Sequence, residues 1–538
     1  MNKKFQLSLA ILLVASLFLS ACGGVDQDAG SGDGKQVLRL MQTDEPPGLD
    51  SATTTDAISN ELLNNVMEGL YRLDKDNHPT EGMAEDVKIS KDKKTYTFTL
   101  RDAEWSDGEP VTAENFEYAW KRALDPKSKS EYAFLLYHIE GAEAYNTGDG
   151  KAKDVAVKAL DEKTLEVKLE APIPYFESLL TFTTYYPQRQ DIVEEHGNKY
   201  ATETNKMVYN GPFVLSEWQH AKSYKLAKNE KYWDKDTVKL DEITFDIVKD
   251  VATGVNLFES DKLDVANLSD DFVDKYAGKD EVVPVPEAST FYLQFNQDEE
   301  YFANANIRKA LSMAIDRETI TDKLRKDGSQ PATGFVPTPI DVNEKPFREV
   351  SGELISPKAD PKEAKKLLEK GLKEVGMDKL PTIEILGYDT AIAKKEQEYI
   401  KEALESALGI KVKLQVLPFA QKLDRESNGD FQASFAGWGA DYNDPMTYLD
   451  VMLTGGSYNR GGWSNEDYDK LVKKSMTNPD FEKRADDLVE AEKILIDEMG
   501  VAPLYFRSRL NLQNDTVKDI YRHPFGADRS FKWASVEK

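Results

Sequence analysis

The chain has 538 residues, 31% of them charged, with 69 Lys and Arg against 96 Asp and Glu and a formal net charge of −27. Such a surplus of carboxylates excludes nucleic-acid binding, which needs cations to neutralise phosphate, and adhesion to anionic membranes through basic patches. A single cysteine excludes an intrachain disulfide and a cysteine metal cluster.

At the N-terminus Lys3 and Lys4 precede an apolar run from Leu7 to Leu19, followed by Ser20-Ala21-Cys22-Gly23-Gly24. A charged start, an apolar stretch and small residues at its end make residues 1–21 a secretory signal, removed on export. Its two lysines leave with it, taking the charge from −27 to −29. The segment around Cys22 resembles a bacterial lipobox, whose cysteine is lipidated and becomes the new N-terminus. Two acyl chains there would anchor the protein stably, where one holds only marginally. Residues 22–35 then form the lipidated N-terminus and a small, polar, flexible tether. No later stretch approaches the roughly 18 consecutive apolar residues of a span, so the remainder is expected to be extracytoplasmic. About 515 residues imply several domains with substantial cores.

Further along, Thr95–Leu100 and Thr164–Leu169 alternate as half-buried strands. Thr112 caps a helix running from Ala113 to Leu124, which Asp125-Pro126 stops. Ile307, Ala310, Leu311, Ala314 and Ile315 share one helical face, and Pro361–Val375 is an amphipathic helix with Ala364, Leu367, Leu368 and Leu372 inward. The strand Thr382–Gly387, a helix near Ala393–Leu408 and the strand Lys411–Leu417 form a β–α–β unit, which predicts parallel pairing. Phe431–Phe435 reads as a strand ending in an Ala-Gly-Trp-Gly turn, and Asn443-Asp444-Pro445 as a helix start with Asp444 as cap. Asp441 stands three residues too early for that duty, beside an indole ring. There is neither a tandem repeat nor an obvious linker, as when a chain crosses between lobes more than once.

Catalytic constellations are missing. The five histidines (78, 138, 196, 220, 523) are scattered without metal-ligand spacing, and HExxH, GxSxG and the phosphate-cradling GxxxxGK[ST] loop are absent. A carboxylate pair for glycoside hydrolysis stays open, because so many acids make any pair findable.

The segment Ala103-Glu-Trp-Ser-Asp-Gly-Glu-Pro-Val-Thr-Ala-Glu-Asn-Phe116, continued by Tyr118-Ala-Trp-Lys-Arg122 and Asp125-Pro126, resembles the signature of the family-5 extracellular solute-binding proteins. These are the peptide/nickel-type receptors of ABC importers. Further landmarks follow in order: Gly48-Leu-Asp50, Met67-Glu-Gly-Leu70, Pro172–Phe176, Asn210-Gly-Pro-Phe213, Asn229–Trp233, Ile307–Leu311 and Ala314–Arg317. Gly437-Trp438 with Ala440-Asp-Tyr-Asn443 and Pro445 is similar to the oligopeptide-binding branch. The resemblance implies a two-lobe periplasmic-binding-protein-like α/β fold (class II, cluster C) with an inserted α/β domain and discontinuous lobes. Lobe I would take 36–67, 192–289 and 507–538, the inserted domain 68–191, and lobe II 290–506.

It implies also that Asp441 binds the free α-ammonium of an extended peptide. The backbone of Ala57 and of Gly437, Trp438 and Gly439 would pair with the ligand backbone, and Tyr132, Phe419 and Trp438 would wall its side-chain pockets. An importer accepting many side chains must hold what all peptides share, and carboxylate against ammonium is a strong, charge-assisted pair. Two positions depart from the family pattern: Phe435 and Glu426 stand where relatives carry basic residues that anchor the peptide's C-terminus, although Arg425 is adjacent. The expected protein is a monomeric, non-enzymatic receptor without metal or cofactor, on a Gram-positive surface or in a periplasm, delivering oligopeptides to an ABC permease. A receptor for one signalling pheromone peptide is the main alternative. A binder of nickel, haem or sugar and a cell-wall hydrolase are the others.

Overall fold

The computed structural model describes residues 34–537 apart from 269, 344 and 457. The signal segment, Cys22 and nearly all of the tether lie outside the described residues. From Val37 onward, three larger sheets organise the chain.

In the first sheet, Val37–Gln42 pairs in parallel with Glu242–Ile247, followed by the antiparallel Ser223–Lys228 and Phe213–Gln219. Leu38 and Leu40 alternate inward, as a half-buried strand requires. The second is antiparallel throughout, in the order Ala84–Ile89, Thr95–Leu100, Thr164–Lys168, Val157–Asp161. Ala113–Leu124 lies against it, burying Phe116, Ala119, Trp120 and Ala123 at helical spacing, and Trp120 donates its indole N–H to the Tyr185 carbonyl at 2.8 Å. Thr112 is the N-cap, where Asn115 Oδ1 accepts from the Thr112 backbone N–H at 2.9 Å.

The third sheet has seven strands. Ile383–Tyr388, the helix Ala391–Leu408 and Val412–Leu417 form the expected β–α–β unit, and the strands pair in parallel from Ile383↔Val412 to Tyr388↔Leu417. Pro361–Glu374 buries Ala364 and Leu368, whereas Leu367 and Leu372 sit half-buried at its margin. At the centre, Val282–Phe295 and Val501–Gln513 run antiparallel for almost their whole lengths. The 289/290 and 506/507 boundaries expected from the sequence fall inside these two strands. The register shifts between Pro286 and Thr290 and again between Phe291 and Tyr292.

The short motifs act as braces between distant segments. Asp50 takes both Arg122 guanidinium nitrogens, at 2.7 and 2.6 Å, and the Gln188 amide at 2.9 Å. Glu68 gathers Arg72 at 2.7 Å, the Tyr232 hydroxyl and the Trp233 indole N–H at 3.0 Å, while Asn210 exchanges two hydrogen bonds with its backbone. Arg308 and Arg317, both buried, spend most of their donors on backbone carbonyls, among them Met499 and Pro503, and the rest on the Gln297 and Ser312 side chains.

Candidate functional site

The strand Ala433–Gly439 differs from the expected Phe431–Phe435: it begins later and runs through both glycines. Pairing imposes this, because Ala433 through Gly439 face Phe295 back through Ser289 without interruption. Gly437 leaves room for its strand partner, since a Cβ there would lie 3.0 Å from the Phe291 ring. On its other side the strand meets Ile383–Tyr388 only at Ala433 and Ser434. From Phe435 to Gly439 that second edge has no strand partner among the described residues, so an extended ligand could be added there.

Beyond Gly439, the Ala440 N–H donates to the Ala288 carbonyl at 2.8 Å, and the chain then turns. The turn is pinned at each step. Asp441 N–H donates to Thr447 Oγ1 at 3.2 Å, Tyr442 stacks on Tyr175 with centroids 4.9 Å apart, and Asn443 N–H donates to Ser178 Oγ at 3.1 Å. Asp444 accepts from the Met446 N–H at 2.9 Å, the capping duty expected of it, and also pairs with the buried Arg484 at 2.7 Å.

The Asp441 carboxylate projects from this pinned turn with one side-chain partner among the described residues, the Tyr132 hydroxyl at 3.5 Å. It lies deep among protein atoms while part of its surface stays open. Burial pushes its carboxyl up to about 7, and the Tyr132 hydrogen bond opposes that rise. Asp450 is pushed further, to about 8, by burial and then by the charges of Asp441 and Asp444. Among the described residues no cation pairs with either of them. Two under-neutralised carboxyls walled by tyrosines suit a cationic guest of ammonium size. No group of three or more His, Cys, Asp or Glu among the described residues is placed to hold a metal ion.

The other expected residues divide. Tyr132 meets Asp441 directly and rests edge-on against Phe182, centroids 5.0 Å apart. Trp438 is half-buried, its indole N–H tied to the Thr447 carbonyl at 2.7 Å and its ring edge-on to Tyr458 at 4.8 Å. Phe419 is 59% exposed, stacked at 6.0 Å on Tyr388. Ala57 opens the helix Ala57–Val66 and lines a cavity of about 270 Å³ with Arg509, Arg522 and Arg529. Phe435 is fully buried between Phe291 and Tyr388, so that position offers the cleft nothing polar. Glu426 is buried too, hydrogen-bonded by Ser434 and paired with Lys422 at 2.5 Å and Arg460 at 3.0 Å.

Sequence reasoning missed Asp450, Tyr458 and the arginines of the Ala57 cavity. One signal was available: in Arg507-Ser-Arg509-Leu-Asn511 the period of two puts both arginines and the asparagine on one strand face.

A family model described as bacterial extracellular solute-binding proteins, family 5 middle, matches residues 78–460. The chain belongs to that family. This family-5 protein is 42% identical over 509 residues to a dipeptide-binding protein, DppE, of Bacillus subtilis strain 168, covering 94% of this chain and 93% of the relative. It superposes on Listeria monocytogenes OppA bound to peptide with a TM-score of 0.80 at 40% identity, covering 94% of this chain and all of that one. A pheromone receptor, PrgZ, solved for its mode of peptide binding, gives 0.81 at 36% identity over the same shares. Family 5 is a solute-binding family with a two-lobe α/β fold, and this chain has that fold.

Proposed function

We propose that this family-5 protein captures oligopeptides in extended form and delivers them to an ABC permease for uptake. The carrying observation is the Asp441 carboxyl, with no cation paired to it among the described residues, at the end of a strand whose edge from Phe435 to Gly439 has no strand partner among them. The peptide's α-ammonium would sit on Asp441 and its backbone along that edge and the Ala57 segment, with Tyr132, Trp438 and Phe419 beside its side chains. The likeness to DppE and to peptide-bound OppA supports the reading.

Residues 36–67, 192–289 and 507–538 then act as lobe I and 290–506 as lobe II, with 68–191 inserted, and the lobes close on the peptide. Cys22 carries the lipid that holds the protein on the outer face of the cell membrane. Replacing Cys22 by Ala should abolish incorporation of labelled palmitate and release the protein from the membrane fraction; retention of label would overturn the anchor.

Calorimetry with a free pentapeptide, its N-acetylated form and the Asp441→Asn variant tests the reading. Loss of either partner of this buried pair should cost about 2–5 kcal/mol of binding free energy. Equal affinity for the free and acetylated peptides would refute it. The match to PrgZ supports a second reading, a receptor for one signalling peptide. A panel of unrelated pentapeptides separates the two: an importer binds most of them, a pheromone receptor one.

A further inference from the structure

The cavity beside Ala57 has a charge pattern that ammonium binding does not use. It is lined by Arg509, Arg522, Arg529, Asn267, Asn511 and Asp528, with Ala57 at its rim. Three of the four arginines in this region are matched. Glu287 takes both Arg507 and Arg509, Asp528 takes Arg509 at 3.0 Å, and Glu61 takes Arg529 at 2.6 and 2.7 Å. Arg522 is the exception. Its guanidinium reaches only neutral acceptors, Gln513 Oε1 at 2.5 Å and the Ile520 carbonyl at 3.4 Å, while its buried Nε–H reaches none. Among the described residues no carboxylate pairs with it, so four guanidinium groups face three carboxylates.

Arg522 and Arg529 also belong to a loop that reaches Asp441. They face each other on a two-stranded ribbon, Tyr521–Arg522 with Arg529–Ser530, and the loop between them reaches the turn that carries Asp441. A Cβ on Gly526 would come 3.9 Å from the Asp441 carbonyl oxygen. Four residues of chain from Arg522 to Gly526 span at most about 14 Å between Cα atoms, which keeps the arginine ribbon near that turn.

We propose that this arginine-lined cavity is a carboxylate subsite, so that the preferred ligand presents a carboxylate toward its amino-terminal end, the ammonium being on Asp441. The inference rests on the peptide-binding reading and adds a substrate class to it. A carboxylate supplies what Arg522 lacks, a charge-assisted acceptor in a partly buried site. Burial, and next the neighbouring Arg529 charge, hold the Arg522 guanidinium below the ordinary arginine range, at about 10, with Glu61 in part opposing. The carboxylate can be the C-terminus of a tri- or tetrapeptide or an acidic side chain near the start of a longer one. The subsite uses neither Phe435 nor Glu426.

Titration of the full extracytoplasmic protein with matched probes tests it. Tri- and tetra-alanine are compared as free acids and as C-terminal amides, and hexa-alanine amides carry one Glu or one Gln at position 2, 3 or 4. At least one matched pair should favour the carboxylate by about ten-fold or more. A free acid favoured over its amide assigns the C-terminus, and a Glu favoured over Gln in an amide assigns a side chain. That preference should shrink to within about two-fold in Arg522→Gln and be partly restored in Arg522→Lys, which keeps the charge without the fork. The proposal is overturned if every pair binds the native protein within about two-fold, or if Arg522→Gln keeps the preference. Neutral amides that bind well without any carboxylate preference overturn this subsite alone. Failure of every probe to bind overturns the peptide reading and the subsite with it.

Discussion

In the proposed binding mode Asp441 couples peptide capture to protons. A carboxyl whose burial lifts it to about 7 must ionise before it can hold an ammonium. Peptide affinity should therefore fall about ten-fold per pH unit below 7, and fall again above about 8, where a peptide α-amine loses its own proton. Tyr132→Phe removes the hydrogen bond that opposes the rise, so the acid limb of the profile should move to higher pH. The same shift has a stability consequence of opposite sense. The folded chain holds the Asp441 proton more tightly than the unfolded one, whose carboxyl titrates near 4, so this contribution to stability fades as pH rises from about 4 to 7. Asp450, lifted to about 8, acts in the same direction. With bound peptide stripped away, Asp441→Asn should gain in melting temperature relative to the native protein as pH climbs, levelling off above about 7. A gap that narrows with rising pH would contradict the assignment.

At the level of elements, legibility followed locality. Thr95–Leu100 and Ala113–Leu124 were readable to the residue, because a two-residue alternation and a capped 3.6-residue pattern are local signals. The β–α–β unit was readable within two residues at each boundary. The central strands were not. Val282–Phe295 contains Pro284 and Pro286, and Val501–Gln513 contains Pro503, residues that argue against an interior strand. Two prolines two apart put both missing donors on one edge, and before Ser289 this strand pairs only with Val501–Gln513. Of the candidate site, Asp441 stands out in its motif, whereas Asp450 comes beside it, and the arginine loop near it, only through tertiary packing. The landmarks that carry the family resemblance are mostly structural braces, as with Asp50, Glu68 and Asn210. Gly211 beside them has a steric reason, since a Cβ there would lie 2.5 Å from the Met67 backbone nitrogen. Backbone cannot yield as a side chain does, so Gly211→Ala should destabilise by at least the 1–3 kcal/mol of an overpacked core. Thermal unfolding checks this, and an unchanged midpoint would contradict the packing.

For the whole molecule, the proposed closure has to pass through Val282–Phe295 and Val501–Gln513, since both run across the boundary between the proposed lobes. Small-angle scattering should show a smaller radius of gyration with a saturating pentapeptide than without, and Asp441→Asn should require more peptide to reach it. The register shift after Pro286 breaks the ladder of that ribbon, the kind of irregularity at which a strand bends. Ala288 sits inside it and is bound on every side: its N–H donates to the Pro524 carbonyl at 2.9 Å, and its own carbonyl accepts from Ala440 at 2.8 Å and from the Tyr448 hydroxyl at 2.5 Å. One of these tethers leads to the arginine loop and another to the acidic turn. A guest gripped at head and flank would thus pull on one residue through both of its flanking peptide units, and in the proposed closure that grip is the lever between the halves.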